Sequence, residues 1–150
     1  MVVWCGIRTS GYITNIEDKD VQPNGVDLRI GKLWYLREEN VRKIVLPDSK
    51  GFYKLSSLKQ YVAKFKNQVI IPNNVCAIFL PRSTMWRKKG LIICHSLFDT
   101  GYVGYPEVFI KPSFDVKIKS NERIGQIVFM DAEPTFEYGG QYLETLKEVV

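Results

Sequence analysis

The sequence predicts an all-β fold, either a compact barrel or a double-sheet jelly roll. Short runs of alternating apolar residues recur along the 150 residues, and Gly, Pro and Asn separate them. Only one stretch has helical spacing, and no internal repeat or linker divides the chain. Many short strands with few helices are typical of such β architectures.

Eight runs have the pattern of strands. The clearest begins at Phe114, where Phe114, Val116 and Ile118 are expected to face the core and to alternate with charged residues that face solvent. Prolines stand at the ends of several runs, where a missing backbone donor costs least. In chain order the runs are 26–30, 43–46, 68–71, 75–80, 91–98, 107–110, 114–118 and 124–130.

The stretch 56–65 predicts a helix, because Leu58, Tyr61, Val62 and Phe65 would share one apolar face. Tail residues 141–150 fit either a short helix or a flexible arm. We expect a single domain over residues 1–150, with residues 1–20 as a divergent N-terminal segment and 136–150 as a mobile C-terminal arm.

Composition excludes some classes of protein and leaves others open. The sequence contains no run of about 18 apolar residues, so it predicts no membrane-spanning helix. The N-terminus lacks the pattern of a signal peptide. The cysteines, Cys5, Cys76 and Cys94, suit neither a disulfide framework nor a metal site, so we expect them to be buried, in a cytoplasmic protein. The formal charge of +5 fits a polyanionic partner or simply a solvated basic surface.

One cluster of polar residues directly follows the run 75–80. It contains Arg82, Ser83, Thr84 and Arg87. Guanidinium groups, hydroxyls and free backbone amides are the donors that a phosphate chain needs. An ordinary solvated turn is the alternative interpretation.

A second cluster, residues 98–105, places Asp99 at the end of an apolar run. Gly101 and Gly104 follow it and permit a tight turn with close backbone approach. Asp99 fits a carboxylate that orients and deprotonates a water at the mouth of a pocket. The commoner use of such an Asp is to cap its own turn.

Two further clusters interrupt apolar strands with polar groups. Asp27 lies in the segment 24–31, and its commoner use would be a hydrogen bond to nearby backbone. Arg123 and Gln126 lie in the segment 122–129, where a surface charge and a polar edge residue are the alternatives.

The order of these motifs resembles that of the dUTP pyrophosphatase and dCTP deaminase superfamily. Asp27-Leu, Pro-Arg82-Ser, the strand-ending Asp99 with Tyr102 after it, and Arg123-Ile-Gly-Gln follow one another as in that family, over about residues 21–142. The resemblance implies a distorted jelly roll that assembles as a homotrimer with active sites between subunits.

The resemblance also implies roles for individual residues. Asp99 would bind the 3′-hydroxyl of the deoxyribose and position the attacking water, while Tyr102 would exclude a 2′-hydroxyl. Mg²⁺ would arrive on the substrate phosphates with most of its waters and need no protein ligand. The other implied contacts are Arg82, Ser83 and Thr84 for the triphosphate, Arg87 for phosphate or base, Gln126 for the nucleotide, Tyr138 for closure over the substrate, and Asp27 and Arg123 for support.

The two branches of the family differ at one glutamate, which performs cytosine deamination. Aligned from Asp99, that position holds Phe109, and Glu107 lies two residues earlier, about 6.5 Å away along a strand. We therefore expect hydrolysis of dUTP to dUMP and pyrophosphate. The alternatives are a dCTP deaminase, mono- or bifunctional, with Glu107 as its base, and a non-catalytic nucleotide-binding regulatory trimer.

Several other residues do not predict a separate function. The single histidine, His95, is expected to be a structural side chain, and Trp4, Trp34 and Trp86 core or subunit-contact residues. Because no aromatic-interleaved basic stripe is visible in the sequence, we expect neither a nucleic acid nor a membrane as partner.

Overall fold

The computed structural model describes residues 2–94 and 96–134, together with the backbone of residues 147–149. Two short α-helices, α1 (Gly6–Ser10) and α2 (Ser83–Arg87), and a 3-10 turn at Asp18–Asp20 accompany the strands. The strands are β1 (Val21–Gln22), β2 (Gly25–Glu38), β3 (Val41–Val45), β4 (Phe52–Leu55), β5 (Tyr61–Phe65), β6 (Val69–Ile70), β7 (Val75–Pro81), β8 (Leu91–Cys94), β9 (Leu97–Phe98), β10 (Val103–Gly104), β11 (Glu107–Pro112), β12 (Val116–Lys119), β13 (Arg123–Asp131) and β14 (Lys147–Val149).

The main sheet confirms the predicted all-β fold. Its strands follow the order β8-β11-β5-β2-β13-β7-β9 in antiparallel pairs, and the sheet curls into a half-barrel. β1 and β3 pair with β2, and β14 pairs in parallel with β3. Two small sheets, β6–β10 and β4–β12, complete the fold. Among the described residues, no helix is long and apolar enough to cross a membrane.

The core lies inside the curl of the main sheet. Phe65, Phe79 and Phe129 are almost completely buried there, and the rings of Phe65 and Phe79 are 5.1 Å apart. Gly125 lies directly against Phe79, so that a Cβ at this position would overlap the ring. This close approach lets β13 pair with β2 on one side and with β7 on the other. The polar residues of β2 and β7 therefore lie beside those of β13.

The predicted helix at 56–65 is wrong. The chain turns at 56–60 and then forms β5, which lies between β2 and β11 in the main sheet. Tyr61, Ala63 and Phe65 alternate into the core, and Val62 is buried on the other face. A strand buried on both faces carries apolar residues without strict alternation, so its sequence also satisfies helical spacing. Leu58, the remaining residue of the pattern, is 91% exposed.

The run predicted at 91–98 is two strands with different partners. β8 pairs with β11 at one edge of the main sheet, whereas β9 pairs with β7 at the other edge. The chain therefore crosses between the edges just before Asp99. The break lies beside His95, which is outside the described residues.

The predicted burial of Phe114 and of the cysteines is also wrong. Phe114 precedes β12 and is 51% exposed, although Ile118 is buried as expected. Cys5 and Cys94 are exposed and Cys76 is half-buried. Trp4 and Trp34 are core residues, one of the two predicted roles. Trp86 is 55% exposed in the single subunit, so for this residue the subunit contact stays a prediction.

Candidate functional site

A polar pocket lies where β7 ends and α2 begins. Its volume is about 330 Å³. Leu80, Gln126 and Asp27 occupy one cross-strand row on β7, β13 and β2, and the start of α2 closes the row. The lining residues are Gln22, Asp27, Leu80, Pro81, Arg82, Ser83, Thr84 and Gln126. The structure thus brings together three of the predicted clusters, which are distant in sequence.

Asp27 organises two arginines at this pocket. Its Oδ2 accepts a hydrogen bond from Arg123 Nη1 at 3.2 Å, and Arg82 Nε lies 3.8 Å from the same oxygen. Gln22 Nε2 also donates to it at 3.4 Å. Asp27 is 2% exposed and contacts side chains, so the expected hydrogen bond to nearby backbone is not its main role. Its carboxylate fixes where the two guanidinium groups lie.

Burial raises the pKa of Asp27 above its ordinary value of 3.8, and this effect outweighs the opposing influence of Arg82 and Arg123. The unfavourable effect of burying the charged carboxylate is therefore larger than the favourable effect of the two guanidinium groups. A charge kept at such a cost is commonly found at functional sites. Of the acidic residues, Asp27 is the one that lines the pocket.

Behind the pocket lies a second buried aspartate that the sequence did not reveal. Asp20 is fully buried and forms a two-point ion pair with Arg29, with Nη2 to Oδ1 at 2.6 Å and Nε to Oδ2 at 3.0 Å. Asp20 Oδ1 also lies 3.9 Å from Arg123 Nε. Arg123 is therefore held by Asp20, by Asp27 and by the backbone oxygen of Lys19, which its Nη1 contacts at 2.8 Å.

The pKa of Asp20 shifts in the opposite direction. Burial alone would raise it, but hydrogen bonds from Arg29 and from the Glu17 backbone, together with the positive charges of Arg29 and Arg123, outweigh burial and hold the pKa below 3.8. The signal that could have identified the pair is the acidic 3-10 turn, because Asp20 precedes an apolar strand in which Arg29 is otherwise unexplained.

The Asp99 loop, which we define as residues 99–104, is built as a tight turn. Tyr102 N donates to Asp99 O at 3.1 Å, and Gly101 has a φ of +85°, which favours glycine. Thr100 anchors the loop, because its buried hydroxyl donates to Val75 O at 2.6 Å. The Tyr102 ring packs 5.2 Å from that of Phe98. Asp99 itself is exposed.

The polar pocket and the Asp99 loop lie at opposite ends of β7. Thr100 is bonded to Val75, where β7 begins, whereas Arg82 follows directly after its last residue. β7 itself has seven residues, Val75–Pro81, and spans about 20 Å. One protomer therefore does not bring Asp99 to the residues of the pocket.

Glu107 and Phe109 share one face of β11, where both are half-buried. Glu107 Oε1 accepts a hydrogen bond from the buried Arg42 at 3.0 Å, and Arg42 also stacks over Trp34 at 3.9 Å. Glu107 is thus part of an ion pair with β3. Phe109 lies between Val62 and Cys94 on the neighbouring strands.

The structure does not test the roles of two further predicted site residues, Arg87 and Tyr138. Arg87 is exposed at the end of α2, with its guanidinium 5.3 Å from the Trp86 ring, and does not line the pocket. Tyr138 lies outside the described residues. The roles of both stay predictions.

Comparisons with known proteins agree on one family. Residues 6–132 match the family model described as dCTP deaminase-like. The deoxyuridine 5′-triphosphate nucleotidohydrolase of Methanocaldococcus jannaschii is 29% identical over 139 residues, which cover 84% of this chain and 88% of that protein.

Two solved structures share the fold. One is the 2′-deoxycytidine 5′-triphosphate deaminase of Agrobacterium tumefaciens, with a TM-score of 0.70 and 17% identity; the match covers 85% of this chain and 46%, about half, of that one. The other is the dUTPase of Staphylococcus bacteriophage 80alpha, with a TM-score of 0.52 and 17% identity, covering 95% of this chain and 89% of that one. At these identities the likeness concerns the fold alone.

Proposed function

This chain belongs to the dCTP deaminase-like family, and we propose from that membership that it hydrolyses dUTP to dUMP and pyrophosphate. The observation that carries the proposal is the polar pocket, where Arg82, Ser83 and Thr84 face a buried carboxylate that holds the arginines in place. A preorganised set of cationic and hydroxyl donors suits the charge that develops on phosphate oxygens.

Phosphate binding and water activation fall to different parts of the chain. Arg82, Ser83 and Thr84 would bind the phosphates, and Gln126 would contact the nucleotide from β13. Asp99 would orient a water for attack on the α-phosphorus and accept its proton, while pyrophosphate leaves. Most of the rate would come from positioning and from neutralisation of charge.

The residues present fit a Mg²⁺ ion that the substrate carries. The described residues include no group of three or more His, Cys, Asp or Glu that could hold a metal, and the pocket's carboxylate, Asp27, already binds Arg123. Mg²⁺ retains much of its water and commonly binds through substrate phosphates with one or two carboxylates. Bound to the substrate phosphates, the ion would neutralise phosphate charge, and no protein ligand would be required.

The separation of the pocket from the Asp99 loop supports a homotrimer with shared active sites. Because about 20 Å of β7 separates them within one protomer, the Asp99 loop of one subunit must meet the pocket of another for the proposed reaction. Cyclic assembly supplies such an arrangement, since each subunit then contributes a different surface to two neighbouring sites.

The ion pair of Glu107 favours dUTP over dCTP as substrate. Deamination would require a carboxylate at the position of Phe109, and Glu107 is bound to Arg42 instead. A dCTP deaminase that uses Glu107 remains the second candidate, and a non-catalytic nucleotide-binding trimer the third. The exposed Asp99 on an anchored turn favours catalysis over silent binding.

A product assay with dUTP or dCTP, in the presence of Mg²⁺, tests the activity. We expect dUMP and pyrophosphate from dUTP and no change in dCTP. Formation of dUTP or dUMP from dCTP would instead establish deamination, and no turnover of either nucleotide would favour the binding protein.

Mixing two inactive variants tests the shared site. Asp99→Asn and Ser83→Ala each damage one half of it, so each homotrimer should be inactive. When equal amounts are unfolded and refolded together, about one quarter of the sites combine two intact halves. Recovery of about a quarter of the wild-type activity is expected, whereas no recovery would show that both halves act within one subunit.

A further inference from the structure

The small β4–β12 sheet presents a basic surface that the proposed reaction does not use. Lys54 and Lys117 lie directly opposite each other across the two strands, and both are exposed. Lys119 follows on the same face, opposite the half-buried Phe52. The inward face carries Tyr53 and Ile118 in the core, so the lysines belong to the face that solvent reaches.

Lys89 extends this surface from another part of the chain. Its Nζ donates to the backbone oxygen of Lys117 at 3.1 Å, which places the ammonium group beside β12. We call Lys54, Lys89, Lys117 and Lys119 the lysine face. Its members come from three separate segments, and only the fold makes them neighbours.

The carboxylates nearest to the lysine face are already engaged by backbone groups. Asp48 accepts hydrogen bonds from the backbone N–H groups of Phe52 at 3.0 Å and Lys50 at 2.9 Å. These bonds, helped by Lys54 and Lys117, hold the pKa of Asp48 below its ordinary value. Asp115 accepts from the backbone N–H of Ser57 at 2.8 Å. Like charges directly opposite across two strands destabilise a sheet. Asp48 offsets part of the repulsion between Lys54 and Lys117, and an anionic partner would offset more of it.

A cleft and two aromatic rings accompany the lysine face. The cleft has a volume of about 400 Å³. Lys54 and Lys117 line it together with Asp115, Ser56 and the apolar Leu55 and Val116, so two cations face one carboxylate there. Phe52 shares the outward face of β4. Phe114, 51% exposed, packs against Gly90, the residue after Lys89. The surface therefore combines cations, a concave floor and aromatic groups.

We propose that the lysine face binds the phosphate backbone of a single-stranded nucleic acid, with Phe52 and Phe114 available for base stacking. Cationic grooves bordered by aromatic side chains are the common means of binding single strands. This inference goes beyond the proposed hydrolase activity and is independent of it. It departs from the expectation drawn from the sequence, where no basic stripe is visible because the four lysines come from distant segments.

The spread of the lysines favours a polymer over a small anion. Lys117 and Lys119 are two residues apart on one strand, about 6.5 Å, and Lys54 lies across the sheet from Lys117. A single phosphate can engage one pair of ammonium groups, whereas four lysines at these separations need several phosphates. A single strand offers them in series and leaves its bases free to stack.

Fluorescence anisotropy with a labelled oligothymidylate tests the proposal. An oligomer of about 20 nucleotides exceeds the usual site size of about 4–16. If each of the four lysines contacts one phosphate, log K should fall with log salt concentration with a slope of about −2.8. The double variant Lys54→Gln/Lys117→Gln should weaken binding and reduce the slope by about 1.4, while dUTP turnover stays unchanged.

The chain offers a matched control in Lys32 and Lys64, a cross-strand lysine pair on β2 and β5. Lys32→Gln/Lys64→Gln also removes two positive charges. This pair differs from the lysine face in that Lys64 lies opposite Glu107 on β11. We expect this variant to bind the oligomer as the wild type does. Equal loss in both variants would show that net charge alone drives the binding and would overturn the proposal.

Two further results would overturn it. One is the absence of binding at low salt. The other is displacement of the oligomer by inorganic tripolyphosphate at an equal phosphate concentration, which would show a small-anion site only. Because dUTP hydrolysis is measured separately, failure of the hydrolase assay would leave this test intact.

Discussion

Substitution by asparagine should affect the stability in opposite ways at two buried aspartates, Asp20 and Asp27. Asp20→Asn removes the charge that pairs with the buried Arg29, and the asparagine can accept from only one of the two donors. Breaking a buried ion pair from one side costs about 3 kcal/mol or more, because the remaining charge loses its compensation. For a chain of this length that loss corresponds to a Tm about 6–12 °C lower.

Asp27→Asn should leave the stability at pH 7 unchanged or raise it. Burial makes the charged form of Asp27 unfavourable, as its raised pKa shows. The amide removes that cost. Activity should nevertheless fall, because Arg82 and Arg123 lose the carboxylate that places them. Misplacement of about 1 Å can reduce kcat/KM about 100-fold.

The pH dependence of the stability tests Asp20 and Asp27 separately, because their pKa values shift in opposite directions. The pKa of Asp20 is lowered in the folded state, so its contribution is present above 3.8 and is lost as the pH falls through the folded pKa. The pKa of Asp27 is raised, so the folded state takes up a proton before the unfolded state does. The unfavourable contribution of Asp27 therefore shrinks as the pH falls from 7 towards 3.8.

Urea unfolding at pH 7 and at pH 4.5 or so, at one protein concentration, measures these effects alongside dUTP turnover. The reasoning is refuted if Asp20→Asn unfolds at the wild-type urea concentration. It is equally refuted if Asp27→Asn is as unstable as Asp20→Asn, because the two carboxylates would then have the same electrostatic role.

Three other substitutions test separate parts of the structure. Glu107→Gln should lower the free energy of unfolding by about 1–3 kcal/mol, because it weakens a charge-assisted hydrogen bond to Arg42. Turnover of dUTP should persist. Loss of turnover at full stability would instead point to a catalytic role for Glu107. Gly125→Ala should cost about 3 kcal/mol in thermal unfolding, because the new methyl group overlaps Phe79, and a wild-type Tm would contradict that packing. Tyr102→Ala should raise turnover of UTP relative to dUTP in a competition assay, and an unchanged ratio would exclude its proposed role in sugar selection.

Several strands could be predicted from short apolar runs or from alternation between core and solvent, although β4, with Tyr53 inward and Lys54 outward, was missed. β7 and β13 were expected within one residue of where they lie. β5 was not, because a strand buried on both faces loses the alternation that identifies it. The break between β8 and β9 was also missed, since both strands are apolar and only their partners differ.

The site was predictable in its composition and not in its arrangement. Arg82, Ser83, Thr84 and Gln126 line one candidate pocket, and Asp27 contacts Arg123 beside it, while their roles stay predictions. Asp20 and Arg29 were overlooked because a long-range pair of opposite charges leaves no local pattern in a sequence. The distance of Asp99 from the pocket likewise depends on how β9 docks on β7, which residue spacing does not encode.

The placement of the two half-sites at opposite ends of β7 has a consequence for the behaviour of the enzyme in dilution. If each active site needs two subunits, a newly made chain is inert until it meets others. Specific activity should then rise with protein concentration until assembly is complete, instead of staying constant. In a cell that carried one intact copy and one Asp99 variant, about half of the sites in mixed assemblies would be active, because every pocket is intact and half of the Asp99 loops that meet a pocket are intact. The damaged chains would thus still supply working pockets to their neighbours.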